Sequence, residues 1–151
     1  MIFELVMGCT GSGKDTYARQ RQLADWARVN FQTTKLSMIK SFGTVSHKEV
    51  VFEMLQRIKE LMSDGRCVIL DGTFLTAEER TKILNSIKDT FGKKAYYYLV
   101  FMDLPENECI LRNTLRRGKV TEEEIHKEFA ILERPTYMEG WDIIKTIGIT
   151  K

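Results

Sequence analysis

The sequence is poor in the residues that mark linkers, disulfide frameworks and metal clusters. Its 151 residues include only 2 prolines, 3 cysteines and 2 histidines. So few prolines, with no Ser/Gly-rich stretch, exclude a linker between domains. An odd number of widely spaced cysteines, with no CxxC pair, excludes a disulfide framework and a zinc site. We therefore expect a single domain spanning residues 1–151 in a reducing, cytoplasmic setting.

Long apolar runs and an excess of one charge are also missing. No stretch approaches the roughly 20 apolar residues that a membrane-spanning helix needs. The N-terminal residues 1–7 lack the basic leader and cleavage site of a signal peptide. The 23 basic and 21 acidic side chains give a net charge of +2. This charge is too small for nucleic-acid binding to be inferred from net charge alone. We expect a soluble protein without a membrane partner, in which any contact with nucleic acid comes from a local patch.

The sequence does contain an alternation of short apolar segments with amphipathic ones. The apolar or β-prone segments, typical of strands, are 2–7, 33–39, 67–70, 95–102 and 143–149. The helical patterns cover about 13–29, 48–64, 76–90 and 105–117. Capping boxes are predicted for Thr76 with Glu79 and for Thr121 with Glu124. Strands that alternate with helices predict a parallel sheet with helices on both faces.

The strongest motif lies between the first predicted strand and the first predicted helix. It consists of Gly8, Cys9, Thr10, Gly11, Ser12, Gly13, Lys14, Asp15 and Thr16. The glycines let the backbone turn tightly and aim its N–H groups inward, and the following helix presents its positive end. Lys14 supplies a cation for the β- and γ-phosphates. The motif therefore predicts a phosphate-binding loop for ATP, a small-molecule nucleotide, together with Mg²⁺.

One position of this loop departs from the usual pattern. Asp15 stands where Ser or Thr normally binds Mg²⁺, and a hydroxyl returns only at Thr16. Either side chain is a candidate metal ligand, because hard cations accept carboxylate oxygen. We interpret Cys9 as a loop residue whose backbone matters, since no histidine lies near it in the sequence.

Four stretches of the sequence carry a resemblance to a known family. They are Gly8–Lys14, Val68–Thr73 followed by Arg80, Arg112–Asn113 followed by Arg116–Gly118, and Pro135–Asp142. In these stretches the chain resembles the kinase domain of polynucleotide 5'-kinases and the small P-loop kinases grouped with them, over nearly its whole length. The resemblance implies a three-layer α/β P-loop NTPase fold with a five-stranded parallel sheet. It also implies a helical arginine lid at about residues 106–132.

The resemblance further implies roles for individual residues. Asp71 would take part in holding Mg²⁺ or would act on the acceptor. The residues implied in catalysis are Lys14, Asp71, Arg112 and, as a second lid arginine, Arg116 or Arg117. The residues implied in substrate contacts are Lys40, Thr73 and Arg80. These roles predict transfer of the γ-phosphoryl group of ATP to a polynucleotide 5'-hydroxyl, with a single-stranded 5' end as partner.

The sequence lacks one residue that the resemblance demands. The family has an aspartate after the second strand that takes the proton of the attacking hydroxyl, but no carboxylate lies between Asp25 and Glu49. Asp71, Glu49 or His47 could replace it as base, or the acceptor could be a phosphate that needs none. A nucleoside or nucleoside monophosphate kinase, and an ATP-binding regulatory module without phosphoryl transfer, are therefore kept as alternative functions.

Overall fold

The computed structural model describes residues 1–148 of the chain. Within this range the strands are β1 (Ile2–Met7), β2 (Ala27–Asn30), β3 (Val68–Asp71), β4 (Tyr96–Asp103) and β5 (Ile143–Gly148). The helices are α1 (Lys14–Leu23), α2 (Phe31–Phe42), α3 (His47–Ser63), α4 (Ala77–Phe91), α5 (Glu106–Leu115) and α6 (Glu122–Ile131). Short 3₁₀ turns lie at Gly92–Lys94 and Tyr137–Glu139.

All five strands join one parallel sheet in the order β2-β3-β1-β4-β5, as expected from the sequence. β1 occupies the centre, and its register places Val6 beside Asp71 of β3 and Val100 of β4. Because the strands are parallel, the end of β1 that leads into the phosphate loop and the end of β3 at Asp71 lie on the same edge of the sheet. This edge carries the candidate site.

Helices cover both faces of the sheet. Side chains alternate along β1, so that Phe3 and Leu5 pack in the larger core beneath α3 and α4. Val6 points to the other face and packs against Ala18 of α1. The result is the three-layer α/β arrangement of a P-loop NTPase, which confirms the expected fold class.

A charged contact fastens α1 to the sheet. Glu4 of β1 is buried, and the guanidinium of Arg21 donates to both of its carboxylate oxygens at 3.0 and 3.2 Å. The same guanidinium lies over the ring of Trp26, 4.7 Å from the ring centroid. The helix that follows the phosphate loop is therefore held in position at its C-terminal end.

The segment predicted as the lid forms the helix pair α5 and α6. These helices share a small core of Leu104, Cys109 and Ile125 that is separate from the two cores of the sheet. The chain before and after the pair is joined by an ion pair of 2.6 Å between Asp103 and Arg134. The helix pair is thus an insertion after β4, and the ion pair holds its two ends close together.

Two secondary-structure predictions were wrong. The pattern read as one helix over 13–29 is a helix that ends at Leu23, followed by a turn with Asp25 at φ 71° and by strand β2. The β-prone segment 33–39 lies inside helix α2, which begins after Asn30 because the Asn30 side chain accepts a hydrogen bond of 2.8 Å from the Thr33 amide. The second strand therefore ends earlier than the sequence suggested.

The C-terminal part of the described chain packs as the sequence indicated. Trp141 is buried and its ring stacks on Phe3 with the centroids 6.4 Å apart, and Gly140 just before it adopts φ 110°. Strand β5 ends at Gly148, and the predicted last position of this strand, Ile149, lies outside the described residues. Within residues 1–148, no helix combines the length and the apolar character needed to cross a membrane.

Candidate nucleotide-binding site

The loop after β1 has the geometry of an anion site. Gly11 and Gly13 adopt φ values of 85° and 98°, where a side chain would be strained. Gly13 caps α1 without any side-chain hydrogen bond, so the first amides of the helix have no side-chain acceptor. The Ser12 hydroxyl is buried without a hydrogen-bond partner among the described residues. Unpaired donors around a helix N-terminus fit a phosphate group.

Lys14 lies at the mouth of this loop. Its ammonium donates to the backbone carbonyls of Gly8 and Cys9 at 2.8 and 2.9 Å. Burial lowers the pKa of Lys14, although the nearby Glu128 carboxylate opposes this effect. Phosphate oxygens compete well for an ammonium that is held only by neutral carbonyls. Lys14 is therefore placed as the sequence predicted.

The Cys9 thiol is unsuited to act as a nucleophile. Burial, with a smaller contribution from Glu128, raises the pKa of Cys9 to about 12. A thiol with such a pKa is protonated at neutral pH, and the thiolate is the reactive form. This agrees with the interpretation of Cys9 as a residue that contributes its backbone.

Helix α5 packs directly on the loop. A β-carbon added to Gly11 would lie 2.4 Å from the Cys109 carbonyl oxygen, so only glycine permits this approach. One turn further along α5, the Nη1 atom of Arg112 lies 3.9 Å from the position of a β-carbon on Gly13. Arg112 is oriented by Glu108, whose carboxylate accepts from Nε at 3.1 Å. A lid-helix guanidinium and the loop are therefore brought together.

Arg116 and Arg117 lie beyond the end of α5, and both are exposed. Arg117 adopts φ 53°, and the next amide, of Gly118, donates to the Asn113 carbonyl at 2.8 Å, which ends the helix. The predicted helix therefore ends before these two arginines. Neither side chain makes a hydrogen bond or ion pair with another described residue, and both remain candidates for the second lid arginine.

A carboxylate from α6 also reaches the loop. Glu128 accepts hydrogen bonds from the Thr10 amide at 2.7 Å and from the Thr10 hydroxyl at 2.8 Å. The two residues are 118 positions apart in the sequence. Both helices of the α5–α6 pair thus contact the phosphate loop.

Asp71 and Asp15 are brought together around one guanidinium. Arg28 of β2 donates to both oxygens of Asp71, at 2.9 and 2.7 Å, and to Asp15 at 2.8 Å. Asn30 donates a further hydrogen bond of 2.8 Å to Asp71. The hydrogen bond to Asp71 and the one to Asp15 outweigh the effect of burial and raise the pKa of Arg28.

The residues predicted to hold Mg²⁺ do not fit the ion in this arrangement. The carboxylates of Asp15 and Asp71 are turned to Arg28, and Thr16 is exposed on the outside of α1. In the part of the chain from residue 1 to 148, no group of three or more His, Cys, Asp or Glu side chains is arranged to hold a metal ion. The two acids thus form an arginine-bridged pair in this structure, and their role as metal ligands stays a prediction.

The predicted substrate contacts are scattered. Thr73 lies at the site: it is exposed, and its carbonyl accepts from the Gly8 amide at 3.2 Å. Arg80 does not, because it is fully buried and donates to both oxygens of Glu139 and to the Phe74 carbonyl. Lys40 is also misplaced: it is exposed and lies ten residues along α2 from Asn30, which is about 15 Å of helix.

The alternative bases are engaged elsewhere. Glu49 forms a capping box with Ser46 at the start of α3. His47 packs against Phe31 with the rings tilted and their centroids 5.2 Å apart, and its Nε2 atom lies 3.3 Å from a carboxylate oxygen of Glu79. That ion pair also explains why the predicted capping box at Thr76 is only half formed, whereas the one at Thr121 is complete.

Sequence reasoning missed three residues of the site, namely Arg28, Asn30 and Glu128. Arg28 was hidden because residues 13–29 were assigned to a helix, and Asn30 lies just beyond that segment. An asparagine three residues before Thr33 is a recognised helix-start signal and would have revealed Asn30. No local signal identifies Glu128, because its partner is 118 residues away.

Comparison with known proteins places this geometry in context. A family model described as an AAA domain matches residues 4–135 of the chain. No curated protein sequence shows significant similarity to it. Among solved structures, a protein from Chloroflexus aurantiacus designated as a kinase is 11% identical with a TM-score of 0.76, covering 97% of this chain and 84% of the other.

Two further structures have the same fold. Kti12 from Chaetomium thermophilum, in complex with ADP-AlF3, is 18% identical with a TM-score of 0.70, covering 97% of this chain and 88% of the other. A chain of the Pnkp1/Rnl/Hen1 RNA repair complex is 24% identical with a TM-score of 0.67, covering 87% of this chain and 43% of the other. At such identities the likeness shows the shared fold alone.

Proposed function

The chain belongs to the AAA domain family, and on this premise we propose that it is an ATP-dependent P-loop kinase that transfers the γ-phosphoryl group to the 5'-hydroxyl of a polynucleotide. The observation that carries the proposal is that Lys14 of α1 and Arg112 of α5 both lie at the phosphate loop. Phosphoryl transfer depends mainly on positioning and on stabilising charge at the transferring group. Two cations from separate elements are suited to that task.

In the proposed reaction the loop and the α5–α6 pair have separate roles. The amides of the loop and the start of α1 hold the phosphate chain, and Lys14 leaves its carbonyl acceptors to neutralise the β- and γ-phosphates. Arg112, with Arg116 or Arg117, neutralises the charge that spreads over the γ-phosphoryl oxygens. Mg²⁺ is usually bound by phosphate oxygens and water with one or two carboxylates, so it would enter with ATP as part of the substrate.

A polar cleft beside Asp71 supports an anionic acceptor. It has a volume of about 300 Å³ and is lined mainly by Arg28, Asn30, Thr33, Thr34 and Arg57. Guanidinium and hydroxyl donors of this kind bind phosphodiester groups. The shared fold with a chain of an RNA repair complex favours a nucleic-acid 5' end as that acceptor.

The acceptor hydroxyl lacks an obvious base, and this favours a second candidate function. With β2 ending at Asn30, the first turn of α2 reads Phe31-Gln32-Thr33-Thr34 and contains no carboxylate. Lys35, in the next turn and half-buried, is better placed than Lys40 to contact an acceptor phosphate. A nucleoside monophosphate presents an anionic phosphate that needs no base. Nucleoside monophosphate kinase activity is therefore the second candidate.

The arginine-bridged acid pair favours the third candidate, an ATP-binding regulatory module. Asp71 is held by Arg28 and Asn30 and is not free to act on an acceptor. A protein that binds ATP at this loop and transfers nothing would have no need of a free carboxylate.

One labelling experiment separates the three functions. The protein is incubated with γ-labelled ATP and Mg²⁺ and offered a 5'-hydroxyl oligonucleotide, nucleosides, nucleoside monophosphates, or water alone. Labelled oligonucleotide is the expected product. Labelled nucleoside diphosphate identifies the second function, and tight ATP binding without any labelled product identifies the third.

Matched variants show whether the loop is responsible. Lys14→Ala should abolish ATP binding and all labelling, whereas Lys40→Ala removes the same charge from an exposed helix away from the loop and should leave both intact. Failure of the unchanged protein to bind ATP would refute the kinase proposal.

A further inference from the structure

The Arg28 guanidinium stands between the two carboxylates that a phosphate loop would use around Mg²⁺. Asp71 ends β3, and Asp15 is the residue that replaces the usual hydroxyl ligand. The Nη2 atom of Arg28 donates to both, at 2.7 and 2.8 Å. A single nitrogen therefore occupies the point at which the two carboxylates converge.

Both carboxylates already accept hydrogen bonds from cationic or amide donors. The Asp71 side chain is 3% exposed and accepts from Nε and Nη2 of Arg28 and from Asn30. The two oxygens of Asp15 accept from Arg28 and from Arg19, although this side chain is 42% exposed. Metal coordination needs carboxylate lone pairs that are open to the ion. An ion between the two acids would therefore have to displace the Arg28 guanidinium.

Asp15 and Arg28 compensate for each other. A carboxylate in the first turn of α1, with no cation beside it, would repel the phosphates that the loop is built to hold. The guanidinium beside it removes that repulsion. The chain thus has a carboxylate in place of the usual neutral hydroxyl, with a guanidinium paired to it.

Arg28 keeps donors for a ligand. Its Nε and Nη2 atoms make the bonds to Asp71 and Asp15, whereas Nη1 donates to no residue within the described range 1–148. The side chain is 15% exposed and lines the polar cleft that it shares with Asn30 and Thr33. A guanidinium with a free pair of N–H groups binds phosphate oxygens well.

We propose that Arg28 supplies from the protein itself the positive charge that a divalent cation supplies at this edge of phosphate loops, so that the loop binds nucleoside triphosphate without requiring Mg²⁺. The ligand is the metal-free triphosphate, held by the loop amides, Lys14 and Nη1 of Arg28. The inference rests on the nucleotide binding in the proposed function. It concerns binding and leaves open which acceptor is phosphorylated.

Calorimetric titration with ATP, in MgCl₂ and separately in EDTA, tests the proposal. The Kd of the unchanged protein should differ between the two conditions by less than about fivefold, below the usual range of coupling between two bound ligands. In Arg28→Gln the acid pair loses its cation. The Kd of this variant for ATP should therefore be more than about fivefold lower in MgCl₂ than in EDTA. Arg66→Gln removes an exposed arginine that lies outside this cleft and should behave as the unchanged protein.

A second measurement uses no nucleotide and guards against a folding defect in the variant. In Arg28→Gln, Asp15 and Asp71 are freed to bind Mg²⁺, so MgCl₂ alone should raise the Tm of the variant and leave that of the unchanged protein at its value in EDTA. A rise in the unchanged protein, or none in the variant, would contradict the proposal.

The outcomes distinguish this inference from the kinase proposal. ATP binding by the unchanged protein only in MgCl₂ overturns the role of Arg28 and leaves the kinase proposal standing. Equal binding in both conditions without any phosphoryl transfer supports Arg28 and overturns the kinase. No ATP binding in either condition overturns both.

Discussion

Glu128 of α6 holds Thr10 of the phosphate loop by two hydrogen bonds, one to the amide at 2.7 Å and one to the hydroxyl at 2.8 Å. A negative charge therefore lies on a loop whose other donors face an anion. Among charged groups, Glu128 is also the one that acts most strongly on Lys14. Its carboxylate therefore lies at the loop in which we propose that Lys14 contacts the β- and γ-phosphates.

Removing this charge should strengthen nucleotide binding. In Glu128→Gln the amide oxygen still accepts from Thr10, but the repulsion of the triphosphate is gone. We expect the Kd for ATP, measured by calorimetry, to fall by about fivefold or more, as for a modest coupling energy. The control is Glu123→Gln, since Glu123 lies on the same helix but is 80% exposed and pairs with Lys127. Equal affinity of Glu128→Gln and the unchanged protein would contradict this.

Gly11 should be intolerant of any side chain, because α5 lies against it. In Gly11→Ala the β-carbon would meet the Cys109 carbonyl oxygen at 2.4 Å, which forces α5 away from the loop. Gly43→Ala is a matched control: its φ of 82° resembles the 85° of Gly11, but no atom lies within 4 Å of the added carbon.

Thermal unfolding and ATP binding measure the difference between these two variants. In both variants, left-handed backbone strain should lower the free energy of unfolding by about 1–2 kcal/mol. Gly11→Ala should lose more than that and should no longer bind ATP, whereas Gly43→Ala should bind normally. Similar behaviour of the two variants would show that α5 does not depend on close contact with the loop.

Arg80 should be a stability residue. It is fully buried with Glu139, and removing one partner of such a pair typically costs about 3–5 kcal/mol. We expect Arg80→Met to lower the free energy of unfolding by that order and Arg80→Met/Glu139→Met to recover much of the loss. Lys82→Met, which breaks the exposed pair with Glu78, should change it by less than about 1 kcal/mol. Urea unfolding of the three variants checks this order.

The same pair predicts a pH dependence of stability. Burial raises the pKa of Glu139, but the hydrogen bonds from Arg80, Trp141 and the Thr136 amide, together with the charge of Arg80, outweigh burial, and the net pKa is lowered. The stabilisation is therefore present above the pKa of an unfolded glutamate, about 4.3, and is lost as the pH falls through the lower folded value. Glu139→Gln should flatten this acid limb in urea unfolding curves taken between neutral and acidic pH. An unchanged limb would exclude Glu139 as its source.

Arg112 should matter most among the predicted lid arginines, because it alone of the three is seen beside the loop. We expect Arg112→Lys to reduce kcat by about 100-fold, since an ammonium cannot reproduce two-pronged contacts to phosphoryl oxygens. Arg116→Gln and Arg117→Gln should each lose less, and the larger of the two losses would identify the second arginine. Arg66→Gln, exposed beyond α3, serves as the control. A full-rate Arg112→Lys variant would contradict the assignment.

The sequence predicted those features that depend only on residues close to each other in the chain. The phosphate loop, the capping box of Thr121 with Glu124 and the close packing of Trp141 after Gly140 depend on neighbours within a few residues, and all three are present. Strand β2 was missed because it has only four residues, too few to distinguish the alternation of a strand from one turn of a helix. In addition, no glycine or proline separates it from α1.

The candidate site was predicted only in its local part. Lys14 follows from the motif, but the partners of Thr10 and Asp71 come from residues 118 and 43 positions away. Such pairs exist only once the sheet and the α5–α6 pair are in place, so composition and spacing cannot reveal them. Arg80 was misassigned for the same reason: the resemblance implied a substrate contact, and the buried partner of Arg80, Glu139, is 59 residues distant.

The ion pair between Asp103 and Arg134 brings together the chain just before α5 and just after α6. The chain therefore returns after α6 to a point close to the end of β4, and α5 and α6 form an inserted segment whose two ends are adjacent. Segments of this kind can be lengthened or exchanged between homologues without altering the order of the strands. Residues of this segment that contact the loop, such as Arg112 and Glu128, can thus change in evolution while the phosphate loop and the sheet beneath it stay constant.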